Sequence, residues 1–430
     1  MKVSTEKLGN CQLALNIEAE ASELDKSLDE AYRYLVKRLS IPGFRKGKAP
    51  RAILVQHIGK EGLVDEALER LIPPLYKQAI EAEKLEPIAA PQVEVVQRDP
   101  VIFKAVVSLK PEVKLGDYHS LKLERGPAIE IGDKELTDAM DQIRERQGAW
   151  VPVDRPVELT DLLTMDIQAD VDGKPWLDHK AVVYEVREDS RTPVAGFASR
   201  LQGAEKGKEI TFSLAIPDDY PVKEMRGKEG AFKVIISEIK QKQLPELDDE
   251  LATSAGYANL EDMKRKVADD LRAKAEARNE MELQQKALDA VVAMSEVDYP
   301  PVVEDGEIKE LLGREAQRLG FNDIADYVKR INRTEEGLTE ELRPVARRRL
   351  IEGLVLGKLA EQEKIEIGAS EVDNKVEEII NDAEDKERAK QIFSLPQFRQ
   401  SIEDSLRTRK TMDRLLQIAL ASSTNMTKEE

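Results

Sequence analysis

The stretch DKELTDAMDQIRERQGAWV, residues 133–151, decides how the chain is organised. Apolar residues recur at helical spacing among charged ones, which predicts one amphipathic helix. A single helix of this length does not hold itself together in water, so it needs other helices to pack on. The segment that follows does not supply them. Residues 151–243 contain short alternating strands, such as LTMDIQADVDG (163–173) and GAFKVIISEIK (230–240), separated by Gly, Pro and Asp turns. That is the pattern of a small β-rich domain. From about residue 246 onward the pattern is almost wholly helical, with long charged runs such as LEDMKRKVADDLRAKAEARNEMELQQKALDAVVAM (260–294). The β-rich unit therefore reads as inserted into a helical domain, with residues 132–150 belonging to the helices beyond residue 246.

Upstream, residues 113–131 read as an extended connector punctuated by Pro111, Gly116 and Pro127. Residues 1–112 read as α+β. Leu13, Leu15 and Ile17 alternate as on a half-buried strand. Leu24, Leu28, Ala31, Tyr32, Leu35 and Leu39 share one helical face, with Ser22 as the N-cap. Pro50 opens a second helix and Gly59 closes it. A longer helical run continues to Leu85, interrupted at Pro73-Pro74, and strands return at Val93–Val95 and Val101–Leu109. No fixed-period repeat supports a solenoid.

The 430-residue chain carries 66 Lys+Arg against 84 Asp+Glu, a formal charge of −18. Residues 1–112 are neutral, with 17 basic and 17 acidic side chains, so the excess of acid lies downstream. Against that background one window stands out. Between Glu30 and Glu61 there is no acidic residue, while Arg33, Lys37, Arg38, Arg45, Lys46, Lys48, Arg51 and Lys60 fall inside it. At its centre lies IPGFRKGKAPR (41–51), rigid, basic and carrying the lone aromatic Phe44. A local exception of this kind predicts contact with a polyanion or an acidic protein surface. A plain helix–helix turn accounts for the glycines and prolines but not for the cations around Phe44.

Other chemistries find little support. The opening MKVSTEKLGNCQLALNIEAE has no apolar h-region, so no signal peptide is expected, and no run approaches the length that spans a bilayer. The single cysteine, Cys11, permits no intrachain disulfide; it reads as a small core residue in a cytosolic protein. His57, His119 and His179 are scattered, so no metal site is argued. No phosphate-binding glycine loop precedes a helix, and the DDE at 248–250 reads as an acidic linker. No cofactor is expected.

GFRKGKAP at 43–50 resembles the ribosome-docking signature of the trigger factor family, the bacterial ribosome-associated chaperones. DYPPVVEDGEIKELLGREAQRLG (298–320) and LVLGKLAEQEKI (354–365) are similar to segments of that family's helical domain. The resemblance covers essentially the whole chain. It implies a multidomain α+β fold: an α+β ribosome-binding domain (1–112), a connector and first helix of the helical domain (113–150), an inserted FKBP-like β-rich prolyl isomerase domain (151–243), and the remainder of a discontinuous all-α chaperone domain with arms (244–430). The partners it implies are the large ribosomal subunit near the exit tunnel, through a ribosomal protein and rRNA, together with nascent and unfolded polypeptides. No membrane partner is implied, and a homodimer off the ribosome is left open.

The same resemblance assigns candidate residues. Ribosome docking falls to Gly43, Phe44, Arg45, Lys46 and Lys48. The isomerase pocket wall is formed by Ile167, Trp176, Tyr184, Val194, Phe197, Tyr220 and Phe232. FKBP-type catalysis needs no general base; an apolar pocket holds the proline ring and removes the amide from water. The chain departs from the family pattern at Ile167-Gln168-Ala169, where an aromatic-x-Gly is usual, at Leu177, where an acid often stands, and at REDSR (187–191), where glycines are usual. A weakened isomerase is therefore expected. Client binding needs apolar patches within a charged surface, and Met281, Met294, Leu311, Leu312, Ile392, Phe393 and Phe398 are its candidates. The amphipathic helices also suit a coiled-coil scaffold or an ordinary bundle. Two other functions compete: a plain prolyl isomerase with helical appendages, and an RNA-binding protein.

Overall fold

A computed structural model of the chain describes residues 1–126, 130–220, 222 and 225–424; Pro127 lies outside them. Two compact units emerge, one formed by residues 1–126 with 280–430 and the other by residues 127–279. The multidomain α+β architecture read from the sequence is the one observed.

The first unit begins with β1 (Lys2–Gly9), β2 (Gln12–Glu18), α1 (Ala21–Arg38), α2 (Arg51–Glu83), β3 (Gln92–Arg98), β4 (Val101–Ser108) and the short β5 (Glu112–Lys114). The first four strands form an antiparallel sheet in the order β1-β2-β4-β3. Leu15, Ile17, Phe103 and Ala105 alternate onto one face and bury against Leu68, Leu71, Leu75 and Ala79 of α2. A second core, Ala31, Val36, Ile41, Leu54, Leu63 and Ala67, joins α1 to the start of α2.

Local details correct four sequence expectations. The N-cap of α1 is Glu20, whose extended backbone starts the helix and whose N–H donates to the Glu23 carboxylate (2.8 Å); Ser22 sits inside the first turn. Pro50 is likewise the residue before α2 and not its first helical position. At Gly59 (φ 80°, ψ 159°) the backbone leaves helical geometry, so the first helical stretch closes there as expected, but the stretch beyond it continues through Pro73-Pro74, because Leu71 and Leu75 on either side are held in the sheet core. Cys11 is not a core residue. It occupies the tight turn between β1 and β2 at φ 48°, partly exposed, and its thiol donates to the backbone oxygen of Asp298 (3.3 Å). Burial raises the Cys11 thiol above its ordinary range.

The middle unit holds α3 (Asp133–Gln147), β6 (Ala149–Pro152), β7 (Leu162–Val171), β8 (Lys174–Glu185), α4 (Phe197–Leu201), β9 (Glu209–Ala215), β10 (Glu229–Gln243), α5 (Asp249–Ser254) and the first part of α6 (Leu260–Met294). The long β10 is the spine of the sheet. It pairs with β7 along one edge, and with β9 and then β6 along the other. Separately, α3 packs on α5 and α6 through Met140, Ala252, Met263 and Val267.

The last segment of the first unit comprises the end of α6, β11 (Glu296–Asp298), α7 (Pro301–Arg318), α8 (Ile324–Arg330), α9 (Glu335–Gln362), α10 (Ala369–Asp382), α11 (Lys386–Phe393) and α12 (Pro396–Thr424). Val291, Val355, Leu359 and Leu415 form its central core, together with Tyr118 from the connector. Satellite cores join α7 to α8 and α9, and α10 to α12.

Candidate functional site

The loop between α1 and α2 is held at both ends and exposed between them. Ile41 and Ala49 are buried, while Phe44, Arg45, Lys46 and Lys48 face solvent, with Phe44 at 42% exposure. Tyr32 Oη donates to the carbonyl of Ala49 (2.8 Å), and the Gly47 N–H donates to the carbonyl of Val36 (2.8 Å). Two further turns form where the Phe44 N–H donates to Ile41 O (3.2 Å) and the Lys48 N–H to Arg45 O (3.0 Å). Gly43 and Gly47 take φ of 82° and 86°, a region that a side chain disfavours. Lys37 of α1 lies beside Gly47. None of Arg45, Lys46 and Lys48 forms an ion pair with a described residue, whereas the neighbouring Arg51 pairs with Asp29 at 3.1 Å. The loop thus presents an apolar anchor among uncommitted cations in a preset shape. That arrangement suits a partner offering carboxylates or phosphates around an apolar socket.

The middle unit contains a cavity of about 870 Å³. Ile167, Tyr184, Val194 and Tyr220 line it. Trp176, Phe197 and Phe232 do not; they stand behind the wall and fix it. Phe197 packs on Tyr184, Phe212 and Phe232 with ring centroids 5.4–5.5 Å apart, and Trp176 meets Tyr220 edge-on at 5.7 Å. Aromatic pairs in these orientations are mutually favourable. The wall also includes Met165, Leu177, His179, Val182, Arg191 and Asp219, which the sequence reading did not assign. Met165 was within reach: it precedes Ile167 by two on β7 and so shares its face. Burial pushes the Tyr184 phenol above its ordinary range, against a hydrogen bond to Ser190 Oγ (3.2 Å). Among the described residues no cluster of acids, histidines or cysteines could hold a metal ion.

The client candidates divide. Met281 is 69% exposed, and Phe398 is exposed with Phe393 edge-on beside it at 6.2 Å. Ile392 and Phe393 are half-buried. Leu312 is corrected: it is buried in the core that joins α7 to α8 and α9, so its side chain reaches no partner. Leu311 packs against the same core, and Met294 packs over Gly116, where an added Cβ would lie 2.6 Å from the Met294 oxygen. The exposed apolar side chains that the sequence reading passed over include Leu319, Val345 and Leu395.

Comparison with known proteins gives a consistent result. A family model described as bacterial trigger factor protein matches residues 1–143, and one described as its C-terminus matches residues 259–417. A trigger factor of Dehalococcoides mccartyi is 33% identical over 426 residues, 98% of this chain and 95% of that protein. A trigger factor of Halothermothrix orenii is 34% identical over 425 residues, 97% of this chain and 99% of that protein. A solved structure of a trigger factor chaperone shares the fold, with a TM-score of 0.54 at 24% identity, covering 97% of this chain and 99% of its own.

Proposed function

The chain belongs to the trigger factor family, and from that premise we propose that it is a cytoplasmic, ATP-independent chaperone that docks on the ribosome through residues 43–48 and holds emerging polypeptides on its helical segments. One observation carries the docking role: an exposed Phe44 set among Arg45, Lys46 and Lys48, none of them paired with a described residue, on a loop anchored by Ile41 and Ala49. Burying Phe44 in a socket contributes roughly 1.5–3 kcal/mol. The cations add long-range attraction to rRNA phosphates and to acids on a ribosomal protein. Because the loop is already shaped, little ordering opposes the contact.

Clients are held by several weak contacts at once. Association costs an estimated 4–15 kcal/mol, roughly, so a single side chain such as Met281 or Phe398 holds nothing alone. Losing a few contacts releases the client, and the cycle needs no nucleotide. The cavity of the middle unit acts as a prolyl isomerase site. Its apolar wall takes the proline ring and strips water from the preceding amide, which favours the twisted transition state. The hydrophobic residues at Ile167 and Leu177 make it a weaker catalyst than a fully furnished pocket.

Replacing Phe44, Arg45 and Lys46 by Ala tests the docking reading. Co-sedimentation with ribosomes at fixed salt is expected to fail for the triple variant, while its circular dichroism matches that of the parent. Undiminished co-sedimentation would remove the docking role.

A further inference from the structure

We infer that the cavity of the middle unit selects prolines flanked by opposite charges, one acidic and one basic residue, read by Arg191 and Asp219. This rests on the isomerase reading and adds a substrate class to it. The cavity wall is mainly apolar. Among the described residues lining it, the fixed charges are Arg191 and Asp219, of opposite sign and on separate segments: Arg191 between β8 and α4, Asp219 just after β9. Both are exposed, and neither forms an ion pair with a described residue. Their neighbours are engaged. Arg187 pairs with Asp189 at 3.2 Å, Lys228 with Asp172 at 2.9 Å, and Arg226 Nε donates to Tyr220 O at 2.6 Å.

Both charges sit on turns tied to the wall. Tyr184 Oη donates to Ser190 Oγ (3.2 Å), the Ser190 N–H donates to Arg187 O (3.1 Å), and the Thr192 N–H donates to Ser190 Oγ (3.4 Å). Ser190 thereby fixes the backbone that carries Arg191 to a side chain inside the cavity. On the other segment, the Tyr220 N–H donates to Pro217 O (3.1 Å), closing the turn that carries Asp219, and Tyr220 is braced by Trp176. A proline ring seated on the apolar wall sends its two flanking residues out past these turns. An acidic flank then meets a guanidinium, and a basic flank a carboxylate, neither of them paired with a described residue. Exposed pairs of this kind are modest, about two- to fivefold each, and salt weakens them.

The test uses the full chain and five short peptides that centre on Glu-Pro-Lys, Lys-Pro-Glu, Glu-Pro-Glu, Lys-Pro-Lys and Ala-Pro-Ala. Exchange NMR reads isomerisation, and tryptophan fluorescence reads binding separately; Trp150 and Trp176, the only tryptophans, both lie in this unit. One mixed-charge peptide is expected to exceed Ala-Pro-Ala by about four- to twenty-five-fold in both readouts at low salt, the two pairs acting together. Arg191→Gln is expected to cancel the share due to Glu, and Asp219→Asn the share due to Lys. Equal handling of all five peptides, or ratios unmoved by either substitution, overturns the inference while leaving the isomerase reading intact. Charge-dependent binding without any isomerisation upholds the recognition and overturns the isomerase. Neither binding nor isomerisation overturns both.

Discussion

A methyl group on Gly116 would sit 2.6 Å from the carbonyl oxygen of Met294 and under 3 Å from its side chain. Backbone cannot yield there as a flexible side chain would. Gly116→Ala is therefore expected to cost about 1–3 kcal/mol in denaturant unfolding followed by circular dichroism. Asp161 is the other single residue with large leverage. It is 1% exposed, it receives both terminal nitrogens of Arg155 at 2.8 and 2.9 Å, and it accepts the Glu158 N–H at 2.8 Å. Asp161→Ala leaves the partly exposed Arg155 with Glu158 (3.3 Å) as its remaining carboxylate partner and takes the acceptor from the Glu158 N–H; it is expected to cost about 1–3 kcal/mol, read by tryptophan fluorescence during urea unfolding. Neither dependence was visible in the sequence, because each rests on a neighbour brought close by folding. Cys11 and Leu312 teach the same lesson. Cys11, expected in the core from its alternation with strand-like neighbours, lies partly exposed in a turn, and Leu312, a client-binding candidate, is buried. The exposure of Phe44 was legible, since Arg45, Lys46 and Lys48 follow it closely and two glycines and two prolines shape the backbone around it.

Helices were the most legible elements. The charged run 260–294 is α6 from end to end, because no Pro or Gly interrupts a long amphipathic pattern. Pro73-Pro74 misled for a physical reason: two missing N–H donors weaken a helix, but burial of its flanks against a sheet can outweigh the loss. Of the cavity's wall, Tyr184 and Tyr220 were legible, while Trp176, Phe197 and Phe232 stand behind it; the charged residues of its rim were not legible, because they lie on turns without a periodic signal. The junction of the connector with α9 and α12 was not legible at all. There Glu363 accepts from Arg414 Nε and from Tyr118 Oη, both at 2.8 Å. The Arg414 hydrogen bond holds the Glu363 carboxyl below the usual range, against its burial. Burial, helped by Glu363, pushes the Tyr118 phenol up to about 12. A carboxyl lowered by folding adds stability that is complete above its unfolded value, about 4.3, and is lost as pH falls through the lower folded value. Glu363→Gln is therefore expected to cost about 1.5–3 kcal/mol at neutral pH. The gap from the parent should close as pH drops below about 4, measured by urea unfolding at a series of pH values. A gap that stays constant to low pH would mean that charge on Glu363 is not what holds the junction.

For the whole molecule, the important feature is how the β-rich module joins the rest of the middle unit. Ala149–Pro152 pair antiparallel with Lys240–Gln243, so the incoming and outgoing chains lie side by side. Gly148 and Leu244 are neighbours as well; a Cβ on Gly148 would lie 3.1 Å from the Leu244 side chain. The helices α3, α5 and α6 keep a core of their own outside the module. Removing residues 149–243 and joining the ends through a short linker is thus expected to leave ribosome co-sedimentation and suppression of client aggregation in place while abolishing isomerisation. Complete loss of aggregation suppression would put the client site in the module instead. The paired strands also have a bearing on inheritance. A segment whose two ends already touch can be inserted, exchanged or lost in a single in-frame recombination, with no other part of the coding sequence needing to change at the same moment. Lineages of this family can therefore be expected to carry, trade or discard their catalyst as one cassette, while the loop that docks and the helices that hold are inherited together.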